Sequence, residues 1–229
     1  MRPIARVART ALVAAGLTLA VAVATQAGGP VGIADAHAPH AGSAVDNRAA
    51  FHDAMRKLWE DHVTWTRLFI VSAATDPNAT LPDLDPTVAR LLQNQVDIGD
   101  AVKPFYGDAA GDHLTVLLRE HILLAADIVG DAKAGNTSAQ QQAVDEWYAN
   151  ANEIADFLHD ANPRNWADAD MRAMMKSHLD LTLDEAVARL QGRYADDVVA
   201  YDRVHAEILE MADMLSEGIV AQFPEKFGR

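Results

Sequence analysis

The sequence contains no cysteine among its 229 residues. This absence excludes disulfide bridges, a thiolate nucleophile and the sulfur-rich sites that are typical of structural zinc. The phosphate-binding patterns G-x-x-x-x-G-K-[ST] and G-x-G-x-x-G are also missing, as is the nucleophile motif G-x-S-x-G. The sequence therefore gives no support to a kinase, a glycosyltransferase or a serine or cysteine hydrolase, and we expect a non-enzymatic role before a catalytic one.

Positive charge is scarce along the chain. Nineteen Lys and Arg residues stand against 33 Asp and Glu, which gives a formal net charge of −14. Such a surface repels nucleic acids and anionic lipids. We therefore expect no nucleic-acid partner, and a metal ion or small ligand fits the charge better. The sequence does not identify a protein partner.

Long apolar runs are missing except near the N-terminus. Arginines at positions 2, 6 and 9 precede an apolar run from Ala11 to Ala24, which ends in a possible A-x-A cleavage site. This run is too short to span a membrane comfortably, because about 20 residues are needed. We predict a secretory signal peptide over residues 1–27, with an uncleaved anchor as the alternative. The protein is then secreted or held in the cell envelope, with no stable membrane insertion after cleavage.

The segment from 28 to 45 is rich in Ala, Gly, Pro and His and lacks any period, so we predict a disordered linker there. Beyond it, apolar residues recur at steps of three and four, and strand-like alternation is absent. The pattern predicts six amphipathic helices. The first three lie over about 46–75, from 86 to near 104 or 107, and over 108–134. The last three run from a cap at 137 or 138 to a break at 162–163, over 167–190, and from 192 to 224.

Short connections between these helices predict an all-α fold. We expect an up-and-down helical bundle of about six helices in a single domain over 46–229, four of them long: the first, third, fifth and sixth.

Three histidines occupy positions where the helices should be apolar. His62, His121 and His178 lie near the centres of the apolar stripes of the first, third and fifth helices. A buried imidazole needs a hydrogen-bond partner or a metal, and bundle cores often build sites from facing helices. Glu185 follows His178 by two turns on the same stripe, as a candidate ligand or as an acceptor for an imidazole N–H. We predict a core site in which these four residues bind one transition metal ion (Zn, Cu, Ni or Fe), with bis-histidine haem ranking below a single ion.

Two other functions stay open at this point. The chain could be a metal-free structural or interaction module of the cell envelope, with the histidines hydrogen-bonded inside the core to Thr66, Thr182, Asn94 or Asn150. It could also be a metal-dependent hydrolase, since three histidines around an ion leave a position for an activated water.

Methionines and the N-terminal histidines offer further metal ligands. Met175 stands one turn before His178, and two methionine pairs share its spacing, Met171 with Met174 and Met211 with Met214. Thioethers beside imidazole favour Cu(I), although methionines at helical spacing more often fill core gaps. A chain beginning at Asp35 would also place His37 third, where it can chelate Cu(II) or Ni(II).

Three segments resemble an uncharacterised exported all-helical family of Gram-positive bacteria. They are Leu58-Trp-Glu-Asp-His-Val-Thr-Trp-Thr-Arg67, Trp147-Tyr-Ala-Asn-Ala-Asn-Glu-Ile-Ala155 and Glu210-Met-Ala-Asp213. The resemblance extends from Phe51 to Phe223, and the tryptophan–histidine segment is its most specific part. It implies export and an all-helical fold. No activity is established for that family, so it assigns no functional residues.

Overall fold

The computed structural model describes residues 44–76 and 78–228. The predicted signal peptide, and the predicted linker up to residue 43, lie outside this part of the chain. Six α-helices occur in it: α1 (Ala44–Ala74), α2 (Leu84–Tyr106), α3 (Asp108–Ala134), α4 (Thr137–Ala161), α5 (Asp168–Leu190) and α6 (Tyr194–Gln222). A short 3₁₀ helix follows at Pro224–Phe227.

The predicted all-α bundle is confirmed, and no strand occurs within the described residues. Most helix bounds agree with the prediction to within two residues, but two details differ. Helix α1 begins at Ala44, inside the predicted linker. Helix α5 is no longer than α2 at 23 residues, so it is not one of the long helices.

Local sequence explains where the helices separate. Gly107 has a φ of 85° between α2 and α3, and Gly135 has a φ of 67° after α3. Both values lie in the left-handed region, which glycine adopts without the steric penalty of a Cβ. The side chain of Asn136 then accepts a hydrogen bond from the backbone N–H of Ala139, so the cap of α4 is Asn136 and not the predicted Thr137 or Ser138.

Each helix packs against the next one along the chain, and α1 also packs against α6. The six helices therefore form a closed ring around one main apolar core. The helices that carry the three histidines, α1, α3 and α5, alternate around this ring, and α1 contacts both α3 and α5. This arrangement brings residues from the three helices to the middle of the bundle.

No helix among the described residues is both long enough and apolar enough to cross a membrane.

Candidate metal site in the bundle core

The three histidines meet in the core. Their exposed fractions are 3% for His62, 3% for His121 and 4% for His178. The ring centre of His178 lies 5.7 Å from that of His62 and 6.4 Å from that of His121. The sequence predicted their burial on helix stripes but could not predict that they stand at one height along the bundle.

A small cavity lies beside the three rings. Its volume is about 30 Å³, and all three histidines line it together with apolar side chains and methionines. A cavity needs roughly 10–15 Å³ to hold a water molecule, so this one has room for a single ion or for one or two waters. It is far too small for a porphyrin ring, which favours a single ion over haem.

Hydrogen bonds orient two of the imidazoles. The backbone carbonyl of Leu117 accepts a hydrogen bond from the amide nitrogen of Asn150, so the oxygen of that amide faces Nδ1 of His121 at 3.0 Å. Because this oxygen can only accept, Nδ1 of His121 carries the proton. Its Nε2 then holds a lone pair in the neutral ring.

His178 is held in the same way by a carboxylate. Its Nδ1 lies 3.0 Å from Oε2 of Glu207 on α6, and both side chains are largely buried. The carboxylate accepts a hydrogen bond from the Nδ1–H of the ring, which leaves Nε2 as the nitrogen that can face a ligand. Carboxylate–imidazole pairs of this kind orient histidine ligands in metal sites and raise their basicity.

His62 differs because no hydrogen bond of normal geometry reaches its Nδ1. The same holds for Oε1 of Gln95, a side chain on α2 that is fully buried. A buried polar group without a partner costs about 1–3 kcal/mol. An ion or a water in the adjoining cavity would remove that cost for His62, and so would a small turn that pairs its Nδ1 with Oε1 of Gln95, whose amide already raises the pKa of His62.

Burial favours the neutral form of two of the imidazoles, His121 and His62. It lowers the pKa of His121 to about 3, and the charge of His178 lowers it further while the hydrogen bond with Asn150 opposes the shift. Burial also lowers the pKa of His62 well below its usual range. His178 and His121 add to that effect, and the nearby amide of Gln95 partly offsets it. Neutral imidazoles can bind a metal without first losing a proton.

The ring spacings suit a shared ion. A metal–nitrogen distance near 2 Å would place the centres of two ligating rings about 5–6.5 Å apart, and both observed distances fall within that range. In the described part of the chain, however, no group of three or more His, Asp or Glu side chains is arranged as a ready ion site. Binding would therefore require the rings to turn so that their nitrogens point to one place.

Glu185, the fourth predicted ligand, is hydrogen-bonded to an arginine and not to a histidine. It is buried, but it lies seven residues beyond His178 on α5, which is about 10 Å along the helix axis. Its Oε1 accepts a hydrogen bond from Nη1 of Arg67 at 2.9 Å. We therefore leave Glu185 out of the ligand set. Glu207 is the residue that accepts a hydrogen bond from an imidazole, and its partly exposed position gave no signal in the sequence.

Glu185 belongs instead to a group of two buried carboxylates and two partly buried arginines. Arg67 also binds Asp197, and Nη1 of Arg189 lies 3.2 Å from Oδ2 of that same carboxylate. The second guanidinium nitrogen of Arg189 donates to the hydroxyl of Thr75 at 2.9 Å. Burial raises the pKa of Glu185 to about 7, although Arg67 opposes the shift. This group ties α1, α5 and α6 together, and the charge of His178 also acts on Glu185, as the last of the influences on its pKa.

The predicted hydrogen-bond partners of the histidines are only partly correct. Asn150 does bind His121, but Asn94 donates to the backbone carbonyl of Leu58. Thr66 binds the carbonyl of His62 rather than its ring, and the hydroxyl of Thr182 is buried without a partner.

No protein family model matches the chain, and neither a curated protein nor a solved structure matches it. The resemblance to exported helical proteins of Gram-positive bacteria therefore stays a prediction. The function has to be argued from the site.

Proposed function

We propose that this protein binds one transition metal ion through His62, His121 and His178, and that it does so outside the cytoplasm. Export is inferred from the N-terminal sequence alone. Metal binding is supported above all by the convergence of three buried imidazoles from three helices on one small cavity. Two of them donate Nδ1 to Asn150 and Glu207 and so keep Nε2 for a ligand.

The main competing function is a metal-free structural or interaction module. It is favoured by one observation: the hydrogen bonds of His121 and His178 give each ring a partner without any ion. On the side of metal binding, an ion would satisfy Nδ1 of His62, which no hydrogen bond of normal geometry reaches. The cavity gives little support to a hydrolytic role, because a volume of about 30 Å³ leaves no room for a substrate beside the ion.

The test is metal binding by variants that keep the fold. Asparagine carries an amide nitrogen close to the position of a histidine Nδ1 but has no counterpart of Nε2. His121→Asn and His178→Asn should therefore preserve the bonds to Asn150 and Glu207 while removing the proposed ligand atom. The matched control is His113→Asn, on an exposed histidine of α3 outside the cavity.

The full chain is used with His37 and His40 replaced by alanine, so that the N-terminal histidines cannot bind the ion. After equilibrium dialysis against Zn(II) or, without oxygen, against Cu(I), we expect one ion per chain in this background and in His113→Asn. We expect that ion to be lost in His121→Asn and His178→Asn, with the helical circular dichroism unchanged. Equal metal content in all four proteins would overturn the proposal, and so would the absence of metal from all of them.

A further inference from the structure

The side chains that line the cavity limit which ion it can hold. Besides the three histidines, the cavity is lined by the methionines Met55, Met175 and Met211 and by aliphatic and tryptophan side chains. Among these described lining residues there is no aspartate, glutamate or cysteine. All the available donor groups are therefore imidazole nitrogens and thioether sulfurs, and none of them carries a negative charge.

The absence of negative charge among the donor groups of the cavity favours a monovalent ion over a divalent one. The cost of moving an ion from water into a dry medium grows with the square of its charge, so a divalent ion costs about four times as much as a monovalent ion of similar size. The carboxylate that acts on the site is that of Glu207, which contacts Nδ1 of His178. Its single negative charge balances one positive charge and not two.

The chemistry of the donors points the same way. Thioethers are soft ligands, and together with imidazole they select Cu(I) over the harder divalent ions. Met175 lies one turn before His178 on α5, and Met211 lies on α6 one turn after Glu207. Both methionines are thus on the two helices that form the carboxylate–imidazole pair, and both line the cavity.

We propose that the histidine cavity is a Cu(I) site in which the sulfur atoms of Met175 and Met211 supplement the imidazoles. This inference rests on the proposed metal-binding function and names the ion that the site selects. The methionine spacing in the sequence raised Cu(I) as one option. The structure adds the cavity that places these two thioethers beside the histidines and excludes carboxylate ligands from its wall.

The experiment compares Cu(I) with Zn(II) in the same full chain lacking His37 and His40. Cu(I) affinity is measured without oxygen by competition with bathocuproine disulfonate, and Zn(II) affinity by competition with a chromophoric chelator. The test variant is Met175→Leu/Met211→Leu. The control is Met171→Leu, since Met171 is fully buried on the same helix but does not line the cavity.

We expect the double variant to weaken Cu(I) binding by at least about tenfold and to leave Zn(II) binding unchanged, because leucine fills a similar volume without a sulfur donor. Met171→Leu should change neither affinity. X-ray absorption of the wild-type Cu(I) complex should show sulfur as well as nitrogen neighbours, and the sulfur signal should vanish in the double variant.

The possible failures can be told apart. If Zn(II) binds in a way that depends on His121 and His178 while Cu(I) binds no more tightly, the metal site stands and the Cu(I) inference is wrong. An unchanged Cu(I) affinity in Met175→Leu/Met211→Leu would also refute it. If neither ion depends on the histidines, the proposed function itself fails.

Discussion

The pH dependence of stability offers a quantitative test of how the core histidines are held. Burial lowers the pKa of His121 from 6.5 to about 3 in the folded protein. As the pH falls below 6.5, the unfolded chain binds a proton at this residue and the folded protein does not. The free energy of unfolding therefore declines, by about 1.4 kcal/mol per pH unit, until the pH approaches 3.

Between pH 7 and pH 5, His121 alone should cost the metal-free protein about 2 kcal/mol of stability. The variant His121→Asn should lack this contribution, because asparagine does not titrate and can still donate to Asn150. His62 contributes in the same direction, since burial lowers its pKa as well. The wild type should therefore lose stability across this range more steeply than the variant.

The assay is urea unfolding of wild type and His121→Asn at half-unit pH steps, followed by circular dichroism in the presence of a metal chelator. We expect the difference between the two free energies of unfolding to change by about 2 kcal/mol from pH 7 to pH 5. Parallel curves would refute the reasoning, because they would mean that His121 reaches solvent and accepts a proton in the folded state.

Two further variants test other parts of the bundle. The comparison of wild type with Glu185→Gln should show the opposite pH trend, because burial raises the pKa of Glu185 from 4.5 to about 7. As the pH rises from 5 to 8, the free energy of unfolding of the wild type, measured in urea, should fall by up to about 2.5 kcal/mol relative to that of the variant. A constant difference between the two proteins would contradict a buried Glu185. Gly218→Ala should destabilise the protein by roughly 1–3 kcal/mol, because an added Cβ would lie 2.1 Å from Nε1 of Trp166. Its control is Glu217→Ala, at the exposed neighbouring position of α6, and an equal melting temperature for both variants would exclude that clash.

The helices were predictable because their signals are local. Apolar spacing, Gly107 and Gly135 are properties of short segments, and they place most helix bounds within two residues. The burial of His62, His121 and His178 could be predicted for the same reason, since each lies at the centre of an apolar stripe.

The composition of the site could not be predicted in full because it depends on how the helices stand relative to one another. Glu185 shares a stripe with His178, yet the position of Arg67 on α1 decides where its carboxylate binds. Glu207 gives no signal of burial in the sequence, and only the packing of α6 against α5 brings it to His178. Distances between helices, and not the pattern within any one helix, determine these pairs.

The most direct test of a shared ion is the nitrogen NMR spectrum of the histidine rings before and after the metal is added. In the metal-free protein, His121 should appear as the neutral tautomer with the proton on Nδ1. On adding one equivalent of Cu(I) or Zn(II), Nε2 of both His121 and His178 should shift strongly, together with one nitrogen of His62, while the ring of His113 stays unchanged. A bound ion that leaves the three buried rings unshifted would contradict the account.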